Sequence, residues 1–427
     1  MSDQLSSTLG TDRSKILPGT ESPAESQAME ELSCRVETSF EALEPFRHTW
    51  DEAVVRLGGS IYMSYDWSRI WWEFYGAGKE LRIFVFSAGD VVVGILPLYI
   101  STLGAWPFKL KVARLVGANI PPKVFNPPVD VQHAESVLKV AITHMLTCES
   151  CQVISLGPIS ELYGQHIIQA ARKYSVSTCE IALKPCGVHS LFALPGSYDE
   201  YFQSLTKKER KNNRNRYDLS LLRQDHAAFE EFVSDPERVA MEYETFVDLH
   251  TREWQQKGGT GHFFSWPSGK EFNRVVVCRQ ASLGRTEFLK IVAEEKTVAS
   301  IYTYYIGGIC HAELMGRQLG QEWDKYNLGR AILVRAVARA IQRGCRFLDA
   351  GLGHYDYKDR LNAQEHAVFQ IRCERTGPRA RMVIFIFKCI RIFLLALYHK
   401  FWYRRIRKLL PLRWRKPHAA MWLRFDY

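Results

Sequence analysis

Between Leu81 and Ile100 the chain reads LRIFVFSAGDVVVGILPLYI, two apolar stretches rich in β-branched and aromatic residues around Ala88-Gly89-Asp90. That pattern predicts a strand, a turn and a second strand. It returns at Phe288 to Ile306, FLKIVAEEKTVASIYTYYI, with the turn at Glu294-Glu295-Lys296. Each predicted hairpin leads to a further strand and then to an amphipathic helix. The apolar stripe of the first helix is Val137, Leu138, Ala141, Ile142, Met145 and Leu146; that of the second is Ile332, Leu333, Ala336, Val337, Ala340 and Ile341. Both follow the i, i+1, i+4, i+5 spacing of one helix face. A Cys then opens a strand that ends in Gly in each case, Cys151 to Gly157 and Cys345 to Gly351. Hairpin, strand, helix and Cys-to-Gly strand in the same order twice imply two copies of one unit with a mixed α/β (α+β) sheet. The expected boundaries are residues 32–185 and 186–375.

Ahead of the first unit, residues 1–31 are rich in Ser, Thr, Glu and Pro, the composition of a disordered leader. A strand at Cys34 to Thr38 and a helix over Phe40 to Leu57 follow, then the aromatic run Tyr65 to Tyr75. There Trp67, Trp71 and Trp72 are spaced as a buried helix stripe or as an aromatic platform for a substrate. Helices are predicted over Tyr198 to Arg223, Pro236 to Lys257 and Ser268 to Ser282. The first holds Lys207, Lys208, Arg210, Lys211, Arg214 and Arg216, either a solvated face or a clamp for phosphates.

Charge changes the picture at one end of the chain. The net charge is +10, yet Thr376 to Tyr427 alone holds 13 basic residues against Asp426, leaving net −2 for everything before it. Concentrated charge argues against a nucleic-acid groove spread over the fold and for one attachment surface. Met382 to Leu397 is apolar except for Lys388 and Arg391, and is shorter than the about 20 residues of a membrane span. Arg381, Lys388, Arg391 and His399 fall on one arc of a helix, and Lys400, Arg404, Arg405, Arg407, Lys408, Arg413, Arg415 and Lys416 follow, with Trp402 and Trp414 among them. Residues 376–427 are therefore expected to form a basic amphipathic tail lying on an anionic membrane surface. A helix packed on the body with a basic end, and RNA binding by the same run, are the competing accounts.

The ten cysteines are far too sparse for a disulfide scaffold, and no secretory signal opens the sequence. The expected location is cytoplasmic, peripheral to the inner face of the plasma membrane. Cys148 and Cys151 form a CxxC without a partner pair at zinc spacing, and no metal is expected.

Four segments together resemble the GNAT-fold acetyltransferases called CelD-like or FemAB-like: Val93 to Tyr99 closing the first hairpin, Leu205 to Arg214, Tyr326 to Ala331, and Phe347 to Gly351 followed by Tyr357-Lys358. The resemblance covers about Cys34 to Asn362. It implies two tandem GNAT-like units with inserted helices, the first non-catalytic and the second catalytic. It also implies transfer of an acyl group from acetyl-CoA or another acyl-CoA to an amine or hydroxyl, with a carbohydrate or amino-sugar acceptor in cellulose or exopolysaccharide synthesis. FemAB-type members use aminoacyl-tRNA instead, and a third possibility is a non-catalytic subunit of a membrane-bound polysaccharide synthase.

On this chain the cofactor residues would be Asn327, Leu328, Gly329, Arg330 and Ala331 at a helix start, where free N–H groups and the helix dipole suit a pyrophosphate. The family's leading polar position is Tyr326 here, and Asn327 is the expected N-cap. Main-chain N–H groups near Leu314 and Met315 would face the thioester carbonyl. Strand alternation places His311, Glu313 and Met315 on one face, with His311 or Glu313 as base, unless both are partly solvated strand residues. Tyr357 falls where the family's general acid lies, and Asp349 could orient a base or bind an acceptor hydroxyl. Lys208, Arg210, Lys211 and Lys358 are the expected substrate-binding cations. The proline-rich loop Ala118 to Pro128 removes donor N–H groups from the first unit and would wall the acceptor cleft.

Overall fold

Both predicted hairpins enter a single twelve-stranded mixed sheet. The computed structural model describes residues 32–118, 123–259, 261–264, 266–406 and 409–411. The expected leader, and Arg407, Lys408, Arg413, Trp414, Arg415 and Lys416 of the tail, lie outside the described residues. In chain order the first half supplies β1 (Leu32–Glu37), α1 (Arg47–Arg56), α2 (Tyr65–Tyr75), β2 (Glu80–Ala88), β3 (Val91–Leu103), β4 (Leu110–Leu115), α3 (Ala134–Thr147), β5 (Val153–Ser160), α4 (Glu161–Lys173) and β6 (Cys179–Ala193). The second supplies α5 (Tyr198–Ser204), α6 (Lys207–Asn212), α7 (Ser220–His226), β7 (Phe229–Val233), α8 (Pro236–Gln256), α9 (Gly269–Ser282), β8 (Thr286–Ala293), β9 (Lys296–Ile306) and β10 (Ile309–Arg317). It continues through α10 (Gln321–Asp324), α11 (Leu328–Gln342), β11 (Phe347–Leu352), α12 (Asp356–Arg360) and β12 (Gln364–Arg375), and α13 (Pro378–Leu397) follows.

The strand order is β1-β2-β3-β4-β5-β12-β6-β11-β10-β9-β8-β7. Inward from either edge the sheet repeats itself, β1 to β5 against β7 to β11, with antiparallel hairpins and one parallel pair in each half. The last strands are exchanged: β12 pairs with β5 of the first half and β6 with β11 of the second, both antiparallel. Consequently β6 runs unbroken through position 185, and the two halves share one hydrogen-bonded sheet.

The registers of the parallel pairs match. Val112↔Val153, Ala113↔Ile154 and Arg114↔Ser155 in the first half correspond to Ile309↔Phe347, Cys310↔Leu348 and His311↔Asp349 in the second. Ser155 is thus the topological counterpart of Asp349, and Arg114 that of His311. Every residue of the two predicted helix stripes is buried, on α3 and α11.

Two predicted helices are broken. Phe40 to Leu57 splits into a 3-10 turn, Glu41–Phe46, and α1, because Pro45 supplies no N–H to continue the ladder. Tyr198 to Arg223 splits into α5, α6, a π turn at Asn213–Tyr217, and α7. Leu205 is extended there, and Thr206 starts α6 afresh by accepting from the Glu209 N–H at 3.3 Å. The aromatic run forms α2 with Trp67 and Trp71 buried; Trp67 packs edge-on to Phe125 and Phe272 within a core shared by both halves. A second core gathers α11 with α5 and α7.

Candidate active site

Past His311↔Asp349, β10 runs on to Arg317 without further pairing to β11, so the two parallel strands splay apart. At the same point the register between β10 and β9 shifts between Ala312 and Leu314, a β-bulge that leaves Glu313 as the extra residue. Ala312 to Met315 are partly exposed, whereas Ile309 to His311 are buried. The split therefore opens a stretch of strand backbone in the middle of the sheet.

The bulge corrects one expectation. His311 and Glu313 do share a side: Tyr62 lies edge-on to His311, ring centroids 5.4 Å apart, and its hydroxyl donates to Glu313. Met315 does not join them. The inserted residue reverses the alternation, so Leu314 packs in the core of α2, α8 and α9 while Met315 packs with α11. The Met315 carbonyl accepts from His250 Nδ1 at 2.8 Å.

Glu313 is the meeting point of the two halves. Its side chain is 2% exposed and accepts hydrogen bonds from Tyr62 and from the Lys123 ammonium. Lys123 comes from the proline-rich loop of the first half. Burial pushes the Tyr62 hydroxyl well above its ordinary range, and the Glu313 carboxylate adds to the rise. Tyr62 is therefore a neutral donor.

Beside it lies a buried carboxylate held between two imidazoles. Asp349 Oδ1 is 2.7 Å from His189 Nε2, and Oδ2 is 3.0 Å from His311 Nδ1. A carboxylate only accepts, so each of those ring nitrogens donates. The Gly351 N–H also reaches Oδ1, at 2.7 Å. Burial alone raises the Asp349 carboxyl, but the two histidines outweigh it and hold it well below the usual carboxylate range. The outer nitrogens, His189 Nδ1 and His311 Nε2, are buried without a hydrogen-bond partner among the described residues. His189 arrives on the exchanged strand β6, 160 positions from Asp349, and no sequence signal marked it.

Asp349→Asn is expected to destabilise the protein by about 3 kcal/mol, since one partner of a buried charged cluster is lost while both imidazoles stay buried. Because the folded carboxyl lies below its unfolded value, its contribution is complete above pH ~4 and is lost as pH falls through the folded value. Denaturant melts at pH 7 and pH 3 check both points: the gap between wild type and variant should narrow in acid.

The helix start expected to hold a pyrophosphate is α11. Asn327 is not its side-chain cap: it adopts a left-handed conformation, φ 51° and ψ 39°, and its amide donates to the Lys325 carbonyl at 3.3 Å. Its own carbonyl receives the Arg330 and Ala331 N–H groups. Those of Leu328 and Gly329 have no acceptor among the described residues. Tyr326, standing where the family has a polar residue, is a core anchor with its hydroxyl on Asp225 at 2.6 Å. A Cβ on Gly329 would come within 3.2 Å of the Arg317 side chain, which Glu253 holds at 3.4 Å. Arg317 is a cation at this helix start that the sequence pattern did not single out.

The basic segment reaches the same place. Arg330 on α11 donates to the Tyr217 hydroxyl at 3.0 Å, bringing the π turn after α6 against the helix start. Lys208 and Lys211 are exposed on α6. Arg210 instead donates to the carbonyls of Gln203 and Leu205, at 2.9 and 2.6 Å, closing the end of α5. Lys358 is buried, with its amine on the carbonyls of Ala350 and Gly353 at 2.8 and 3.3 Å, and burial lowers it to about 8. Expected as a substrate cation, it instead ties the loop after β11 to α12. Tyr357 is half-buried on α12, its ring 5.7 Å from that of Tyr355, and burial raises its hydroxyl above the usual value.

Cys148 is exposed and Cys151 buried, so the CxxC does not present two thiols to one site. Among the described residues the one group of side chains close enough to gather an ion is His354, Asp359 and Glu365, all on the surface.

The bulged strand β10, its split from β11 and the start of α11 all lie within one segment that a known family covers. Residues 207–359, about a third of the chain, match the family model described as an acetyltransferase (GNAT) domain, which supports a transferase. No functionally curated protein matches the sequence. Among solved structures, FemX superposes with a TM-score of 0.56 at 11% identity, over 76% of this chain and 95% of that one. L-PGS from Bacillus licheniformis gives 0.44 at 11% identity over 81% and 97%. A tandem GNAT protein from the clavulanic acid biosynthesis pathway gives 0.39 at 12% over 82% and 99%.

Proposed function

We propose that the second half catalyses transfer of an acyl group from acetyl-CoA or another acyl-CoA to an amine or hydroxyl. The observation that carries this is the juxtaposition of the β10–β11 split, the buried Glu313 carboxylate beside it, and the uncapped start of α11. The pyrophosphate would sit on the Leu328 and Gly329 N–H groups, with Arg317, Lys208 and Lys211 offsetting its charge. The thioester carbonyl would lie along the opened edge of β10 near Leu314. Glu313, directly or through a water, takes the proton of the attacking amine or hydroxyl. The new bond to the acyl carbon forms, the C–S bond breaks, and Tyr357 returns a proton to the departing thiolate. His311 and Asp349 position the strand that carries Glu313.

A carbohydrate or amino sugar is the acceptor class we favour, on the resemblance to CelD-like proteins, and the basic tail would bring the enzyme to an anionic membrane surface, where a polysaccharide synthase complex works. Aminoacyl-tRNA is the rival donor, on the resemblance to FemAB-type members. Gly329→Val tests the donor site: the side chain fills the space between the helix start and Arg317. In calorimetric titration, acetyl-CoA affinity should fall at least about tenfold while the melting temperature changes little, because Val is a better helix former than the Gly it replaces. Equal affinities would remove α11 from the donor site.

A further inference from the structure

α13 is apolar on two opposite sides. Ala380, Val383 and Ile384 are buried, the latter two against Leu110, Val112 and Val153 of β4 and β5. Lys388, next to that buried line, pairs with Glu374 of β12 at 2.8 Å. At 100° per residue the opposite side is formed by Met382, Phe385, Ile392 and Phe393, and these are 50%, 66%, 66% and 63% exposed. A helix on a protein surface normally turns polar residues, not a second apolar side, to the solvent. No described helix is long and apolar enough to cross a membrane.

A second apolar element lies alongside. The β3–β4 hairpin touches α13 where Gly104 meets the Phe387 ring, and its tip presents Trp106 at 81% exposure and Phe108 at 43%. Exposed large apolar side chains gathered in this way mark an interaction surface. The charge around them decides its kind. Lys109, Arg379, Arg381, Lys400, Arg404 and Arg405 are exposed on the hairpin and the helical tail, and no Asp or Glu occurs between Thr376 and Phe425. An apolar face flanked by these cations, with Trp at its edge, complements the interface of an anionic bilayer.

We propose that the outer face of α13 and the tip of the β3–β4 hairpin form one two-point docking surface for an anionic lipid bilayer, Trp106 and Phe108 entering it beside Phe385, Ile392 and Phe393. It rests on the membrane role of the tail and deepens it: the body of the enzyme itself touches the bilayer and so takes one fixed orientation to it. The tail supplies charge and one apolar strip, and the hairpin supplies the second point that stops rotation about the helix.

The test is co-sedimentation of the full-length protein with vesicles of pure phosphatidylcholine and of phosphatidylcholine with 30% phosphatidylglycerol. Wild type should bind the anionic vesicles and hardly the neutral ones. The double variant Trp106→Ser/Phe108→Ser should bind about tenfold or more weakly with an unchanged melting temperature. So should Phe385→Ser/Ile392→Ser, whose positions face away from the core. Lys400→Glu/Arg404→Glu/Arg405→Glu, at exposed positions, should abolish binding. If this charge reversal abolishes binding while Trp106→Ser/Phe108→Ser binds as wild type, the two-point surface is wrong and the tail reading survives. If wild type ignores anionic vesicles, both fall. Sedimentation velocity without lipid adds a further check: a dimer that Phe385→Ser/Ile392→Ser dissolves would assign the face to a second copy of the chain and overturn the proposal.

Discussion

Glu313→Gln should lower kcat by about 10³-fold, with KM for the acyl donor nearly unchanged, because the amide cannot accept the acceptor's proton and makes no contact that the donor needs. The substitution keeps the shape of the side chain: its carbonyl oxygen can accept from Lys123 while its amide N–H donates to the Tyr62 hydroxyl, the two groups that bond separate oxygens of the carboxylate. The fold should therefore hold, and a melting curve beside the kinetics separates lost chemistry from lost structure. The Lys123 ammonium would then face a neutral amide in a pocket where Glu313 was 2% exposed, so a loss of about 1–2 kcal/mol is expected as well. A kcat within about threefold of wild type would remove Glu313 from the role of base.

Tyr357→Phe should lower kcat by about 10²-fold, again without weakening the donor, since the phenol acts only as the thiolate leaves. Burial holds the Tyr357 hydroxyl protonated, the state a general acid needs at neutral pH. An acyl donor with a more acidic leaving thiol should recover much of the loss in Tyr357→Phe and none in Glu313→Gln. Equal rescue of both variants would mean that the two residues do not divide the base and acid roles in this way.

How much of this was legible beforehand depended on whether a feature is periodic. The two hairpins and the stripes of α3 and α11 were plain because burial imposes a repeat of 2 or 3.6 on the residues themselves. The two Cys-to-Gly strands were readable as β5 and β11, and the parallel registers align Ser155 with Asp349. The exchange of β6 and β12 was not readable, since strand alternation says which face a residue points to and nothing about which neighbour the strand pairs with. That exchange is what delivers His189 to Asp349. A one-residue bulge is equally silent: His311 and Glu313 stayed together, but Met315 crossed to the other layer. Asn327 looked like a cap by residue type, yet its left-handed backbone satisfies the helix through its carbonyl instead. Tyr62 and Lys123 lie in the first half, where only a wall of the cleft was expected, and long-range pairs of this kind leave no local trace.

The proposed donor is an acyl-CoA held at the start of α11. Equilibrium dialysis of the purified full-length protein against labelled acetyl-CoA and, side by side, labelled aminoacyl-tRNA tests it most directly. Saturable acetyl-CoA binding at one site per chain, lost in Gly329→Val and unaffected by added tRNA, is the expected result. Binding of aminoacyl-tRNA with no binding of acetyl-CoA would make the aminoacyl ester the donor instead.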